Sequence, residues 1–435
     1  MCGFIITRTN TNLKSLIEKI SYRGLPNYKG YLKVADVQMA HYSLPFVNLD
    51  PAVAIQPIKG DIPSLFVGEI FNYEDMGEYS TDGDCISKIF HTSPNWVSDF
   101  HKFDGFWSFV TIYRGNIIAI TDYLSQKPIY YRTDMEALAS EIDVLKEFGR
   151  VTSNKLFHSN VSKWGYDPCG ETPWNEIKQI PPGHYYYKGN IFKYWDWDKV
   201  NRSDSLVNDL KKSTELRLGG QREVSILLSG GLDSSIIYGL IKEIGREVKA
   251  IHVDNNEEEY ASLLTKDLIK VTLDDISDED AIRIHQSPVD LGSVKPQIAM
   301  AKKLNQLGFY AVMTGDGADE LFGGYKRSSE YDSQYSDIFC ELPYYHLPKL
   351  DRTMMYHTVE LRAPFLAPSV IKHALDLPYE MRKGKKQKLM DEFSYLLPKE
   401  ILERQKLPLK TEAIRKDPMN QRSINKLIWE NLYGK

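Results

Sequence analysis

No stretch of this chain is apolar for long enough to cross a bilayer, and Met1-Cys2-Gly3-Phe4 carries neither the basic region nor the apolar core of a secretory signal. A cytoplasmic location is the expectation, with no membrane partner. Cysteine is scarce. Cys2, Cys85, Cys169 and Cys340 are scattered without a C-x-x-C pair, so neither a disulfide framework nor a zinc site is indicated. Positive charge is not in excess: a formal net charge of -5 argues against a nucleic-acid footprint. Repeats and low-complexity linkers are absent as well. What is there is ordinary globular composition, 42% hydrophobic and 26% charged over 435 residues, with room for two or three domains.

The chain also lacks a dinucleotide G-x-G-x-x-G and a G-x-x-x-x-G-K-[ST] loop, yet it has a different glycine turn. Ser229-Gly230-Gly231-Leu232-Asp233-Ser234-Ser235 sits between an apolar run, Val224 to Leu228, and a helical run, Ile236 to Ile244. Two glycines let the backbone approach a ligand, three hydroxyls add donors, and the new helix presents unpaired N–H groups. Such a turn suits a phosphate. Asp233 alone would repel one, so its presence implies a divalent cation, Mg2+ on oxygen ligands, bridging it to pyrophosphate.

Strands and helices alternate downstream, with strands read at Val248 to Val253, Ile269 to Leu273 and Tyr310 to Met313, and helices at Glu258 to Leu268 and Pro296 to Gln306. That pattern indicates a parallel sheet with helices on both faces and ligands at the carboxyl ends of its strands. The last strand runs into Thr314-Gly315-Asp316-Gly317-Ala318-Asp319-Glu320, where three carboxylates among glycines call for a metal. A basic run follows at Arg382, Lys383, Lys385, Lys386 and Lys388.

The first half reads as strand-rich, with a β-hairpin at Gly105 to Tyr113 and Asn116 to Thr121 turning on Arg114-Gly115. Removal of Met1 would leave Cys2 with a thiol and a free α-amine. The amine, with a pKa of about 7.7 to 8.0, can take the thiol proton without a histidine.

Met1-Cys2-Gly3-Phe4-Ile5 resembles the start of class II glutamine amidotransferases, and further stretches follow in that family's order. They include Tyr22 to Pro26, Gln56-Pro57-Ile58, Val67-Gly68-Glu69-Ile70-Phe71-Asn72, Thr81-Asp82-Gly83-Asp84, Asp104 to Phe109 and Lys127 to Tyr131. The resemblance implies that Cys2 attacks the glutamine amide, Gly68 N–H holds the oxyanion, and Glu69 and Asp84 pair with the α-ammonium. Two positions depart: Val67 stands where the family has an oxyanion asparagine, and Ser43 where it has the arginine that grips the α-carboxylate. Losing one oxyanion donor costs about 2.7 to 4 kcal/mol in studied hydrolases, so the expectation is a weakened glutaminase or reliance on free ammonia.

In the second half, Ser229 to Ser235 resembles the PP-loop of enzymes that split ATP into AMP and pyrophosphate. Thr314 to Tyr325 and Asp351 to Leu366 resemble asparagine synthetases. The resemblance implies Asp233 and Asp319 as metal ligands, Asp316 as the catalytic acidic residue, and an ATP site of Leu228, Ser229, Gly230, Gly231, Asp233, Ser234, Val253, Thr314 and Gly315. A catalytic lysine is implied at Lys388, with Lys386 as the alternative.

The chain as a whole thus resembles the glutamine-hydrolysing asparagine synthetase family. That implies an α/β protein: an N-terminal αββα hydrolase fold over 1–198 and a doubly wound parallel PP-loop domain over 199–435. The implied reaction converts aspartate and ATP to β-aspartyl-AMP and pyrophosphate; ammonia, from glutamine at Cys2 or from solution, then displaces AMP. Family habit implies a homodimer. Relatives with the same modules close β-lactams, cyclise peptides or amidate sugar acids, so another acceptor carboxylate stays open. A plain Cys2 hydrolase with a regulatory ATP-binding half is a further alternative, disfavoured because Asp233, Asp316, Asp319 and both glycine loops are intact while the departures lie in the glutaminase half.

Overall fold

The structure is a computed structural model that describes residues 2–253, 258–383, 386–404 and 418–434. Lys385 of the basic run lies outside the described residues.

Eleven strands form the first half: β1 (Cys2–Thr7), β2 (Lys29–Val34), β3 (Val37–Ser43), β4 (Ser64–Ile70), β5 (Gly105–Tyr113), β6 (Asn116–Thr121), β7 (Tyr130–Arg132), β8 (Ala137–Ala139), β9 (Ile177–Gln179), β10 (His184–Tyr187) and β11 (Asn190–Lys193). They make two antiparallel sheets, ordered β2-β3-β1-β8-β7-β9 and β11-β10-β6-β5-β4. Successive side chains of a strand point to opposite faces, and β1 uses both. Cys2, Phe4 and Ile6 join Met39 of their own sheet to Leu65, Val67, Val110 and Ala119 of the other, forming the layer between the sheets. Ile5 looks outward onto a core with Ile17, Ile20, Ile142 and Leu145, while Phe66 on the far sheet packs with Cys85, Ile86 and Phe90 of the helix Asp82–Thr92. Helices therefore cover both outer faces, the αββα arrangement expected. The hairpin falls where the alternation placed it, with Tyr113 opposite Asn116. Its turn residues have φ of 48° and 75°, as a two-residue primed turn requires.

The second half carries a parallel sheet of β12 (Val224–Leu227), β13 (Lys249–Val253), β14 (Leu268–Val271), β15 (Ala311–Met313) and β16 (Glu360–Arg362), ordered β14-β13-β12-β15-β16. The chain winds outward from β12 through β13 to β14, then returns to β12's other side for β15. That reversal opens a crevice above the carboxyl ends of β12 and β15. The last helix, Pro418–Tyr433, returns to the first half, where Trp429 lies 5.6 Å from Trp174 between ring centroids. Among the described residues, no helix is long and apolar enough to cross a membrane.

The halves are tied by buried charge. Arg23 Nη1 donates to Glu141 at 2.6 Å and to Asp351 at 2.9 Å, and Lys127 reaches Asp351 at 2.8 Å. Burial raises the Asp351 carboxyl, but Arg23 and Lys127 outweigh it and hold it at about 2. Its folded value lies below the unfolded value of about 3.9, so the stabilisation is present above that pH and is lost as pH falls towards about 2. Asp351→Asn should therefore destabilise the protein by about 3 to 5 kcal/mol near neutral pH, the cost of removing one partner from a buried pair. In thermal melts the gap to wild type should narrow as the pH is lowered from about 4 to about 2; a gap that stays constant would refute the linkage.

Candidate active sites

In the first half a cavity of about 240 Å³ opens beside β1. Cys2, Ser43, Gly68, Glu69, Asp82 and Asp84 line it, so the residues singled out around the thiol meet at one place. Cys2 is paired with Ser43 across β1 and β3, and burial pushes its thiol upward, with Glu360 and Asp82 adding to the effect. Gly68 has a φ of 119°, and a Cβ there would lie 1.9 Å from Phe106 O; the backbone is drawn in where no side chain fits.

Asp84 enters the cavity from the first turn of the helix Asp82–Thr92. Thr81 caps that helix by accepting from Asp84 N–H at 3.0 Å. The Asp84 carboxylate accepts from Ser80 N–H and Oγ–H at 3.2 and 3.1 Å and from Lys88 at 2.9 Å. Asp82, which sequence reasoning passed over, lines the same cavity; burial raises its carboxyl to about 6, against two backbone N–H groups that lower it.

Glu69 lines the cavity with a partner of its own. Both its oxygens face Arg362 Nη2, at 2.9 and 2.7 Å, so the carboxylate awaiting a substrate ammonium is already held by a guanidinium from the second half. Arg362 also binds Glu360 at 2.8 Å, leaving two buried carboxylates on one guanidinium. Burial drives the Glu69 carboxyl well up and Glu360 adds to it, while Arg362 pulls it down. The two family departures are structural as well. Val67 is buried in the layer between the sheets, and the Ser43 hydroxyl lies 2.9 Å from Ala54 O and 3.0 Å from His41 Nδ1.

The second site lies in the crevice. Helix formation begins at Leu232, four residues before the apolar run, because Gly231 serves as N-cap and places Asp233 and Ser234 in the first turn. Gly230 has a φ of 71°, and a Cβ there would strike Ala261 N at 2.6 Å. The loop braces itself: Ser229 Oγ and Ser234 Oγ are 3.1 Å apart, and Gly231 N–H donates to Ser229 Oγ at 3.2 Å. Leu228 is buried, its carbonyl accepting from His252 Nδ1–H at 2.7 Å, and Val253 ends the neighbouring strand β13.

From β15, Thr314 donates its N–H to Arg362 O at 3.0 Å and accepts from Asp316 N–H through its hydroxyl at 3.4 Å. Gly315 abuts the first loop so closely that a Cβ would lie 2.6 Å from Asp233 Cβ and 2.9 Å from Ser234 N. Asp316 is half-buried in the same turn.

Among the described residues, the two loops converge on one lysine. Lys386 Nζ is 2.6 Å from each Asp233 oxygen and 2.5 Å from Asp319 Oδ1. Burial alone would lower this ammonium; Asp233 and Asp319 hold it well above the usual lysine range. Gly324 makes room, since a Cβ there would fall 2.5 Å from Lys386 Cε. Lys388, the preferred catalytic lysine on sequence grounds, is instead paired with Glu392 at 2.5 Å along its own helix, Gln387–Phe393. The difference between the two lysines has a simple cause. Lys386 precedes that helix at a φ of 65°, which aims it away from the face that Lys388 shares with Glu392.

Two carboxylates meeting on a single positive centre also make a donor set that fits a divalent ion. An oxygen-ligated Mg2+ takes one or two carboxylates together with substrate phosphates, and the lysine ammonium stands where two such ligands meet.

A parallel sheet with a serine–glycine phosphate turn at its switch point, joined to a two-sheet fold with a near-terminal cysteine, defines a nucleotide-using enzyme with an amidotransferase-type companion. Comparison with known families agrees. The asparagine synthase model matches residues 206–339 and 328–428, and the glutamine amidotransferase domain model matches residues 1–195. The chain belongs to the asparagine synthase family. Similar proteins include asparagine synthetase [glutamine-hydrolyzing] 2 of Oryza sativa subsp. japonica, 24% identical over 93% of this chain and 76% of that protein. The root enzyme of Pisum sativum is 25% identical over 90% and 73%, and the enzyme of Sandersonia aurantiaca 26% over 90% and 81%.

Proposed function

We propose that the protein makes asparagine: ATP adenylates the β-carboxylate of aspartate, and ammonia then displaces AMP. Convergence of Asp233 and Asp319 on Lys386 above β12 and β15 is the observation that carries the reading. A carboxylate is a poor electrophile with oxide as its leaving group, and AMP leaves far more readily. The residues to manage that exchange are in place. Backbone N–H groups of the Ser229 to Ser234 turn and the helix N-terminus at Leu232 face the phosphates. Lys386 carries positive charge towards the departing pyrophosphate, and Asp316 lies in the neighbouring turn after β15. Mg2+ on Asp233 and Asp319 would neutralise pyrophosphate charge when bound.

Ammonia comes from glutamine at the first site or from solution. With Met1 removed, the α-amine takes the Cys2 thiol proton, sulfur attacks the amide carbon, and Gly68 offers its N–H to the developing oxyanion. Val67 and Ser43 supply neither of the donors their positions hold in the family, which favours a slow glutaminase beside a competent ammonium reaction. Mg2+, a cytoplasmic location and a homodimer belong to the same proposal.

The test is ATP-dependent asparagine formation from aspartate with glutamine or ammonium as donor, on wild type and Cys2→Ala. The variant should lose the glutamine-dependent reaction and keep the ammonium-dependent one. If no asparagine forms with either donor while pyrophosphate release responds to another carboxylate, the acceptor assignment fails.

A further inference from the structure

A glutamine site must hold a zwitterion, so it needs an anion for the α-ammonium and a cation for the α-carboxylate. Asp84 and Asp82 provide the first. The second is missing from its usual place, because Ser43 spends its hydroxyl on Ala54 O and His41. Other cations around the thiol are engaged. Arg23 donates from Nε to Cys2 O at 3.0 Å, but its guanidinium is taken by Glu141 and Asp351. Arg362 is taken by Glu69 and Glu360, and Lys88 by Asp84.

Among the described residues lining the cavity, one carries positive charge: Lys59, on the exposed loop between Pro57 and Ser64. It has no ion pair among the described residues. Resting on the glutamine-hydrolysing reading above, we propose that Lys59 binds the α-carboxylate of glutamine, replacing from a loop the cation that β3 no longer supplies. A lysine ammonium is a strongly hydrated point charge without the two-pronged fit of arginine, and an exposed one is screened by salt. Glutamine should therefore bind weakly and lose affinity as ionic strength rises.

The experiment alkylates Cys2 with 6-diazo-5-oxo-L-norleucine, a glutamine-shaped diazoketone with a free α-amine and α-carboxylate. The thiol proton passes to the diazo carbon, dinitrogen leaves, and a carbon–sulfur bond forms. Iodoacetamide, which lacks the amino-acid head, reports on thiol reactivity alone. Lys59→Met should raise the half-saturating diazoketone concentration about tenfold, the size of a partly exposed charge-assisted contact. The limiting rate and the iodoacetamide rate should hold, and Lys59→Arg should restore saturation. An unchanged half-saturation in Lys59→Met overturns the role of Lys59 and leaves the glutamine site standing. Wild type that reacts with iodoacetamide but shows no saturation with the diazoketone overturns the glutamine reading, and Lys59 with it.

Discussion

Lys386→Met should cut ATP-dependent pyrophosphate release about a thousandfold, the scale for removing one preorganised charge-stabilising group from an enclosed site. Lys388→Met should stay within about threefold, since an i,i+4 pair on a helix surface is worth only about 0.5 kcal/mol. Lys386 touches both carboxylates of the phosphate turns, whereas Lys388 touches Glu392. A second readout needs no turnover. Without Lys386, Asp233 and Asp319 lose the ammonium they share, so Mg2+ should raise the melting temperature of Lys386→Met more than that of wild type. Loss of pyrophosphate release in Lys388→Met with a competent Lys386→Met would reverse the assignment.

That pair also shows where sequence reasoning stops. The run of basic residues marked the region, but Lys386 and Lys388 differ in direction rather than in chemistry. Direction depends on a left-handed residue at the helix start that spacing cannot reveal. Glu69 is a stronger case. Its motif put it correctly at the Cys2 cavity, but its partner Arg362 lies 293 residues away, and no local pattern announces such a pair. Residues whose role follows from backbone geometry were legible: Gly68, Gly230 and Gly315 each stand where a Cβ would collide.

The fold was legible in proportion to element length. The nine residues of β5 are rich in aromatic and β-branched side chains and end at a turn signal, and the parallel strands β12 and β13 are short, mostly apolar runs bounded by turns. Strands β7, β8, β9 and β16 have three residues each, too few for any period to emerge. Among the helices that the sequence pattern did not reveal, two illustrate different reasons. Asp337–His346 has π-type hydrogen bonding around Pro343, a residue that argues against a helix interior. Pro418–Tyr433 buries only Asn425 and Trp429, so it offers no apolar stripe to detect.

Arg362→Met should be the most damaging change at the junction of the halves. The guanidinium is fully buried, donates to Glu360, Glu69, Arg217 O and Gly219 O, and sits 4.8 Å from the centre of the Phe46 ring. Methionine fills much of the volume but removes the guanidinium that buried Glu69 and Glu360 share, a loss of about 3 to 5 kcal/mol. The pH dependence should identify the cause. Without the guanidinium the Glu69 carboxyl, already raised by burial, rises further, and Glu360, which Arg362 helps to hold low, rises as well; a raised acid contributes stability at low pH that is lost as pH increases. The variant should therefore melt furthest below wild type above neutral pH and recover part of the gap near pH 5, roughly the range where buried carboxyls protonate. Glu360→Gln added to Arg362→Met should recover much of it at neutral pH, because one of the two acids that lost the guanidinium is neutralised. A gap independent of pH, and unmoved by the second substitution, would mean that Arg362 acts through packing against Phe46 and Phe71 alone. Since Glu69 lines the thiol cavity, the variant should also lose more of its glutamine-dependent than its ammonium-dependent asparagine formation.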